Sequence, residues 1–201
     1  HAVILAIVTL DAIGISLVMP IVPSLLREVG HTGDLGWRFG AFLSLYALMQ
    51  FLCAPVLGAL SDRFGRRPVL LVGMALYTAA SLLSALAPSI EWLILWRAVQ
   101  GAALAAAVTC GRAIVRDLFA PADGARTMSR ALGGLGIVAM LAPIVGGLLV
   151  QGFGWHAVLL VPALFGAATL AFIALRFDET LARRDMHATR PAQLLRNWSA
   201  L

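Results

Sequence analysis

The densest group of charged residues in this 201-residue chain occupies segment 58–68, which reads GALSDRFGRRP. The segment separates two long runs that are almost free of charge, so one acid and three arginines within it need a specific explanation. Asp62 and Arg66 are four residues apart and can form an ion pair if the segment is helical. The glycines on either side of Asp62 have no Cβ and let another backbone approach closely. The candidate residues of this charged group are Gly58, Asp62, Arg63, Gly65, Arg66 and Arg67.

Four more polar residues lie inside apolar runs, where a polar side chain is costly and is by default a functional hypothesis. Asp11 lies nine residues into the first run, which is about 14 Å along a helix and close to the middle of an apolar layer about 30 Å thick. Gln50 and Gln100 reach similar depths in the second and fourth runs, so we expect these three residues to line a central cavity. A carboxyl group at low dielectric can hold and exchange a proton.

Each of these residues also has a purely structural interpretation. The two glutamines could simply form hydrogen bonds between helices, and Asp11 could be a structural carboxylate. Arg97 lies only five residues into the fourth run. Its side chain could therefore extend to the membrane surface as an anchor, or it could act near a proton site.

Composition indicates that the elements positioning these residues are transmembrane helices. Hydrophobic residues make up 61% of the chain and charged residues 12%, against about 45–50% and about 25% in soluble domains. The mean hydropathy is +0.91. A transmembrane helix needs about 20 apolar residues, and six runs meet this length. The predicted spans are Ala2–Val22, Phe39–Leu60, Val69–Ala87, Trp92–Val115, Ala131–Gly152 and Ala157–Leu175.

The arrangement of the runs and of the arginines gives a class and an orientation. The runs are continuous rather than alternating and are too long for barrel strands, so we expect an all-α membrane protein. Twelve of the 15 arginines fall in the even-numbered gaps, counted with the helix ends that adjoin them, and in the tail. Because cytoplasmic loops are enriched in basic residues, both termini are predicted to be cytoplasmic.

Several function classes are not expected. The net charge of +5 could suggest nucleic acid, but the arginines lie in short gaps rather than on the basic face of a soluble fold. The enzyme patterns G-x-S-x-G and H-E-x-x-H do not occur in the sequence. Cys53 and Cys110 both lie in apolar runs and are expected to be free, buried thiols. No metal or other cofactor is expected.

Segment 58–67 resembles the signature loop of the major facilitator superfamily, usually written G-x-L-a-D-r-x-G-r-k, in residue types, spacing and position between the second and third spans. DAIG at 11–14 and RAVQG at 97–101 resemble motifs of its drug:proton antiporters. APIVGG at 142–147 resembles the fifth-span antiporter motif, G-x-x-x-G-P-x-x-G-G, although Val138 and Ala142 replace its first two glycines. The residues that keep this motif are Pro143, Gly146 and Gly147.

The resemblance divides near residue 71: residues 1–71 resemble tetracycline efflux proteins, and the remainder resembles the Bcr/CflA family of bicyclomycin and chloramphenicol exporters. It implies the N-terminal half of a twelve-span fold built from inverted three-helix repeats. Residues 1–175 would form the six-helix domain, and residues 176–201 a cytoplasmic tail that begins the central loop.

The resemblance implies a proton-coupled exporter of a small-molecule drug that works by alternating access in the bacterial inner membrane with a C-terminal six-helix half. Alternatives are a truncated, non-transporting half that needs such a partner, or a solute:proton symporter on the same fold. Asp62, Arg66 and Asp117 would form a cytoplasmic charge network that fastens helix ends in the outward-open state. The residues implied in proton coupling or the substrate cavity are Asp11, Gln50, Arg97 and Gln100.

Overall fold

A computed structural model describes residues 2–17 and 35–181, and within these ranges the chain is helical with no β-strand. This agrees with the predicted all-α class. In the described ranges the helices are α1 (Ala2–Ser16), α2 (Leu35–Phe64), α3 (Arg66–Ala85), α4 (Ile90–Leu118) and α5 (Pro121–Arg176).

The helices follow the predicted spans but differ from them at their ends. The first span was predicted to reach Val22, and its last residues lie outside the described ranges. The second and fourth helices extend beyond the predicted spans at both ends. The reason is that helical hydrogen bonding continues through polar residues such as SDRF and RDL, where an apolar run has already ended.

The fifth and sixth predicted spans both lie in the helical run α5, which a kink at Gly154 divides into two helices. The predicted separator, FGWH at 153–156, contains a single break at Gly154, whose φ of 78° and ψ of 174° are not helical. A positive φ of this kind is accessible to glycine at little cost. The chain therefore changes direction at one residue and resumes the helix without a loop. Pro143, a predicted bend, does not interrupt the helical backbone angles.

Four of these helices are long and apolar enough to cross a membrane: α2 from Gly40, α3, α4 and α5. The described part of the first helix is also apolar but shorter. Large side chains remain exposed along these helices, including Val72, Ile137 and Leu164. Such exposure suits a bundle surrounded by lipid, because lipid does not penalise apolar surface.

Two hydrophobic clusters make up the buried core, and the helices pass from one to the other. Leu10, Tyr46 and Tyr77 belong to the first cluster, whereas Leu17 and Phe42 belong to the second. Along α3 and α4, buried polar residues lie between the residues of the first cluster and those of the second. These residues are Ser81, Ser84, Arg97 and Gln100.

Close contacts at two glycines bring the helices together around this polar level. A Cβ added to Gly101 in α4 would overlap the backbone carbonyl of Tyr46 in α2. A Cβ on Gly73 in α3 would lie 2.7 Å from the Cβ of Ala106 in α4. Small residues are the usual means of close helix approach in membranes. The α2–α4 and α3–α4 pairs are accordingly among the most extensive in the bundle.

A carboxylate from the segment after α5 caps the beginning of α3. Oε1 of Glu179 accepts a hydrogen bond from the backbone N–H of Arg66 at 2.8 Å, and Oε2 accepts one from that of Arg67 at 3.2 Å. These donors are among the unsatisfied N–H groups at a helix N-terminus, where negative charge is favoured. Gly65 precedes them with a φ of 111°, and a Cβ there would collide with the same carboxylate.

Partial burial by itself would raise the pKa of Glu179, but backbone N–H donors from Leu181, Arg66, Arg67 and Thr180 outweigh it and lower the pKa below its ordinary value. The Arg67 guanidinium adds a hydrogen bond to the carbonyl of Ala174 in the last turn of α5, at 2.9 Å. Two contacts therefore join the beginning of α3 to the end of α5: the Glu179 carboxylate binds the first N–H groups of α3, and the Arg67 side chain binds a carbonyl of α5.

Gly101→Ala should lower the free energy of unfolding of the intact protein by about 1–3 kcal/mol, because the added methyl group forces α2 and α4 apart. Gly136→Ala is the matched control: its Cβ would meet no atom within 4 Å, so the change should be within about 1 kcal/mol and stabilising. Thermal unfolding in detergent, followed by tryptophan fluorescence, measures both. Equal unfolding temperatures for the two variants would contradict the close contact.

Glu179→Gln should lower the unfolding temperature at neutral pH. Since the pKa of Glu179 is lowered in the folded protein, its stabilisation is present above the ordinary carboxylate pKa and is lost as the pH falls through the folded value. The difference between wild type and variant should therefore shrink in acid. Asp178→Asn, at the neighbouring exposed acid, should show no such difference; the same pH dependence in that control would contradict the capping role.

Candidate functional site

Asp11 lies at the contact between α1 and α2, where two side chains of α2 donate to it. Gln50 Nε2 lies 3.3 Å from Asp11 Oδ1, and the Tyr46 hydroxyl lies 3.4 Å from the same oxygen. Tyr46 and Gln50 are four residues apart, so a helix places them on one face, one turn from each other. The carboxylate is half-buried and also lines a cavity.

This cavity has a volume of about 90 Å³ and lies between α1, α4 and the first part of α5. Apolar side chains such as Ile7 and Leu135 make up most of its wall, and the charged groups that face it are Asp11 and Arg112. The volume is sufficient for water, and the two charged groups supply polar partners for it. The site can therefore hold a carboxylate that exchanges a proton with water.

Arg97 is deeply buried, with 3% of its surface exposed. Its guanidinium donates to Gln100 Oε1 at 2.9 Å and to the backbone carbonyl of Gly14. Gln100 in turn donates to the Ser84 hydroxyl at 3.1 Å. The guanidinium also lies 4.3 Å from the centre of the Tyr46 ring, a cation–π distance. This geometry differs from that of an anchor extending to the membrane surface.

The structure thus brings together two pairs of the predicted residues, Asp11 with Gln50 and Arg97 with Gln100. Tyr46 connects the pairs, because its hydroxyl meets Asp11 and its ring meets Arg97. Tyr46 was missed in the sequence analysis. Its position one helical turn before Gln50, on the same face, was the signal that could have identified it.

A second charged site surrounds the guanidinium of Arg66, which is also almost fully buried. Its nitrogens lie 2.5 Å from Asp62 Oδ1 and 3.1 Å from Asp117 Oδ2. Ser61 accepts a further hydrogen bond from Arg66 at 2.6 Å, and its own hydroxyl donates to the carbonyl of Gly58. A buried guanidinium is stable only when several polar partners of this kind surround it. Asp62, Arg66 and Asp117 therefore join the ends of α2, α3 and α4.

The other predicted residues belong to the charged segment and to the fifth-span motif. The Arg63 guanidinium lies 5.1 Å from the centre of the Phe64 ring, whereas Arg67 and Gly65 take part in the α3 cap. Glu179, which completes that cap, was not identified from the sequence. The fifth-span motif lies within α5, and no hydrogen bond connects it to either charged site among the described residues. Its residues are Pro143, Gly146 and Gly147.

A groove of about 400 Å³ borders the second charged site. Asp62 and Arg66 line it from α2 and α3, and Arg112 and Arg116 line it from α4. As for metals, the described residues contain no group of three or more His, Cys, Asp or Glu side chains that could hold an ion.

Comparison with known proteins identifies the family of the chain. Residues 4–201 match the family model of the Major Facilitator Superfamily. The chain is 44% identical to the tetracycline resistance protein, class C, of Escherichia coli over 84% of this chain and 42% of that protein. It is 37% identical to the class B protein of Escherichia coli over 90% of this chain and 45% of that one. The similarity therefore extends beyond residue 71.

More distant transporters match as well. The MFS antiporter QDR3 of Candida albicans is 30% identical over 86% of this chain and 24% of that protein. The crystal structure of the human organic anion transporter MFSD10 (TETRAN) matches with a TM-score of 0.73 and 26% identity, covering 93% of this chain and 49% of that one. The chain spans less than half the length of the tetracycline resistance proteins it matches. With a family model over nearly its whole length and these relatives, the chain belongs to the Major Facilitator Superfamily of membrane transporters.

Proposed function

We propose that this chain is part of a proton-coupled exporter of small amphiphilic drugs that works by alternating access. The observation on which the proposal rests is the Asp11 carboxylate, which is half-buried in the bundle, is hydrogen-bonded by Tyr46 and Gln50, and faces a cavity. An ionisable group in such a place is a typical element of a proton pathway. The names of the bacterial tetracycline resistance relatives support a drug as substrate.

Protonation of Asp11 would change the hydrogen bonding at the α1–α2 contact. The ionised carboxylate accepts from Tyr46 and Gln50, whereas the protonated acid is a weaker acceptor and has a proton to donate. This change would reach Arg97 through Tyr46, whose hydroxyl contacts Asp11 and whose ring contacts the Arg97 guanidinium. Binding of a proton from outside would thereby alter the contact between helices as the drug leaves.

The Asp62–Arg66–Asp117 group would act as the cytoplasmic gate. It joins three helix ends through one buried guanidinium, so it favours a single arrangement of those ends. A conformational change that separated the ends would leave this charge with too few partners, at a substantial cost. We infer that the network holds one state of the transport cycle until substrate or proton binding offsets that cost.

The arrangement would have six membrane passages, with both termini cytoplasmic. Helix α5 would cross the membrane twice, once before and once after Gly154. Residues 1–175 would form two inverted three-helix repeats, and residues 176–201 would begin the central loop. A second six-helix half is expected in the intact protein, since the relatives are more than twice as long as the matched region. The bacterial relatives support placement in the inner membrane.

Asp11→Asn should abolish proton-driven drug export by the intact protein while leaving insertion and folding unchanged. The amide keeps the shape and the ability to accept a hydrogen bond but cannot exchange a proton. The measurement is drug uptake into everted membrane vesicles, driven by an imposed pH gradient, with protein quantity checked by immunoblot.

The matched control is Glu91→Gln, at an exposed acid that pairs with Arg38 at 3.2 Å at the beginning of α4. This variant should transport at the wild-type rate. Unchanged pH-driven export by the Asp11→Asn variant would exclude the proposed proton site.

Asp117→Asn should slow export by about tenfold. The reason is that the state held by the network would lose one charge-assisted hydrogen bond, which contributes about 1.5 kcal/mol. Asp123→Asn is the control, because Asp123 is largely exposed and pairs with Arg126 only at 3.6 Å. Initial rates in the same vesicles distinguish the two. Equal rates for both variants would contradict a gating role for the network.

A further inference from the structure

The hydroxyl group of Tyr77, in α3, is a buried polar group that neither charged site uses. Tyr77 is fully buried, and its hydroxyl makes no hydrogen bond to any group within residues 2–17 and 35–181. The Ser81 hydroxyl lies near it, but that group donates to the backbone carbonyl of Tyr77 at 2.8 Å instead. Because buried polar groups normally have a partner, an unused hydroxyl at this position calls for a functional explanation.

The chain has two tyrosines, and their hydroxyl groups meet beside Gly14 of α1. A Cβ added to Gly14 would lie 3.1 Å from the Tyr46 hydroxyl and 3.2 Å from the Tyr77 hydroxyl. Glycine at this position therefore lets both oxygens approach the α1 backbone. Since the Tyr46 hydroxyl also donates to Asp11 at 3.4 Å, it has both the carboxylate and the Tyr77 hydroxyl as neighbours.

These two neighbours suit the two protonation states of Asp11. A hydroxyl group has one proton to donate and can accept hydrogen bonds at its oxygen. While Asp11 is ionised, the Tyr46 proton is directed to it and the Tyr77 oxygen has no donor. Once protonated, Asp11 is a weaker acceptor and needs an acceptor for its own proton. The Tyr46 oxygen can accept that proton if its own proton turns to the Tyr77 oxygen.

We propose that Tyr77 is a positioning residue of the proton site: Tyr46 donates to Asp11 when the acid is ionised and to Tyr77 when the acid is protonated. In the second state the Asp11 proton is directed to the Tyr46 oxygen, and no proton leaves either tyrosine. The Tyr46 ring moves toward α3 in this change, and the Arg97 guanidinium lies 4.3 Å from the centre of that ring. This inference rests on the proposed proton coupling at Asp11, because it describes how the neighbours of that acid respond to the proton.

The other groups that face Asp11 remain in place when it titrates. Gln50 of α2 donates to it at 3.3 Å, and the Gln50 amide has both donors and an acceptor, so it can serve either state. Arg97 and Arg112 of α4 act on Asp11 through their charge, and a guanidinium stays protonated and has no acceptor. Helix α5 contributes only apolar side chains to the wall of the Asp11 cavity. The Tyr77 hydroxyl is therefore the group that distinguishes the two states.

Infrared difference spectroscopy of the purified intact protein in lipid vesicles measures the protonation of Asp11, since a carboxylic acid and a carboxylate absorb differently. The Asp11 band is the part of the carboxyl signal that Asp11→Asn removes. Tyr77→Phe deletes only the hydroxyl and should move the midpoint of the Asp11 titration by about 0.5–1 unit to more acidic pH. The reason is that the protonated state loses one hydrogen bond between neutral groups, whereas the ionised state loses none.

Two comparisons show whether this effect passes through Tyr46. In a Tyr46→Phe background, Tyr77→Phe should cause no further shift, because the hydroxyl that connects Tyr77 to Asp11 is gone. Ser81→Ala removes the neighbouring buried hydroxyl and should leave the midpoint at the wild-type pH. An unchanged midpoint in Tyr77→Phe would overturn the inference, as would an equal shift in the Tyr46→Phe background or the same shift in Ser81→Ala.

The titration needs neither a drug nor a gradient, so its result is independent of the export proposal. A midpoint shift that depends on Tyr46, together with export that ignores an imposed pH gradient, would contradict proton coupling and leave the change of hydrogen-bond partner intact. Gradient-driven export that Asp11→Asn abolishes, together with a wild-type midpoint in Tyr77→Phe, would overturn the role of Tyr77 and leave proton coupling intact.

Discussion

The guanidinium of Arg97 sits between two hydrophobic clusters, and several helices contribute to its stabilisation. Helix α1 provides the carbonyl of Gly14, α4 provides Gln100, and α2 provides the ring faces of Tyr46 and Phe42. Helix α3 contributes indirectly, since Ser84 accepts from Gln100. Because leaving a buried charge with too few partners costs about 3–5 kcal/mol, this one group restricts how these four helices can slide along one another.

That restriction matters for Asp11, which could not be positioned by its own contacts alone. Its hydrogen bonds from Tyr46 and Gln50 are long, at 3.4 and 3.3 Å, and its cavity is mostly apolar. The glycine at 101 lets α2 approach α4 so closely that the backbone of Tyr46 is in contact with it. Tyr46 therefore lies between the Arg97 guanidinium and the Asp11 carboxylate, which is the arrangement that the proposed proton coupling needs.

The sequence predicted the helices well because long apolar runs have no other stable form in a membrane. It predicted the Asp62–Arg66 ion pair because the spacing of four residues is a local property of a helix. The helix ends were less accurate, since polar residues continue a helix without any change in local pattern. The Glu179 cap could not be predicted, because it joins residues more than 100 positions apart. Only the packing of α5 against α3 brings them together.

Helix α4 connects all of these features along one rigid element. Arg97, Arg112 and Asp117 lie on it in that order, and the distance from the first to the last is about 30 Å at 1.5 Å per residue. A helix of this length moves as a unit unless a proline or another break interrupts it, and α4 contains none. In the proposed transport cycle, a displacement that changes the partners of Arg97 would therefore also reach the Asp117–Arg66 contact. The proposed connection between Asp11 and the network at the helix ends is mechanical, through Tyr46, Arg97 and α4, and needs no chain of hydrogen bonds.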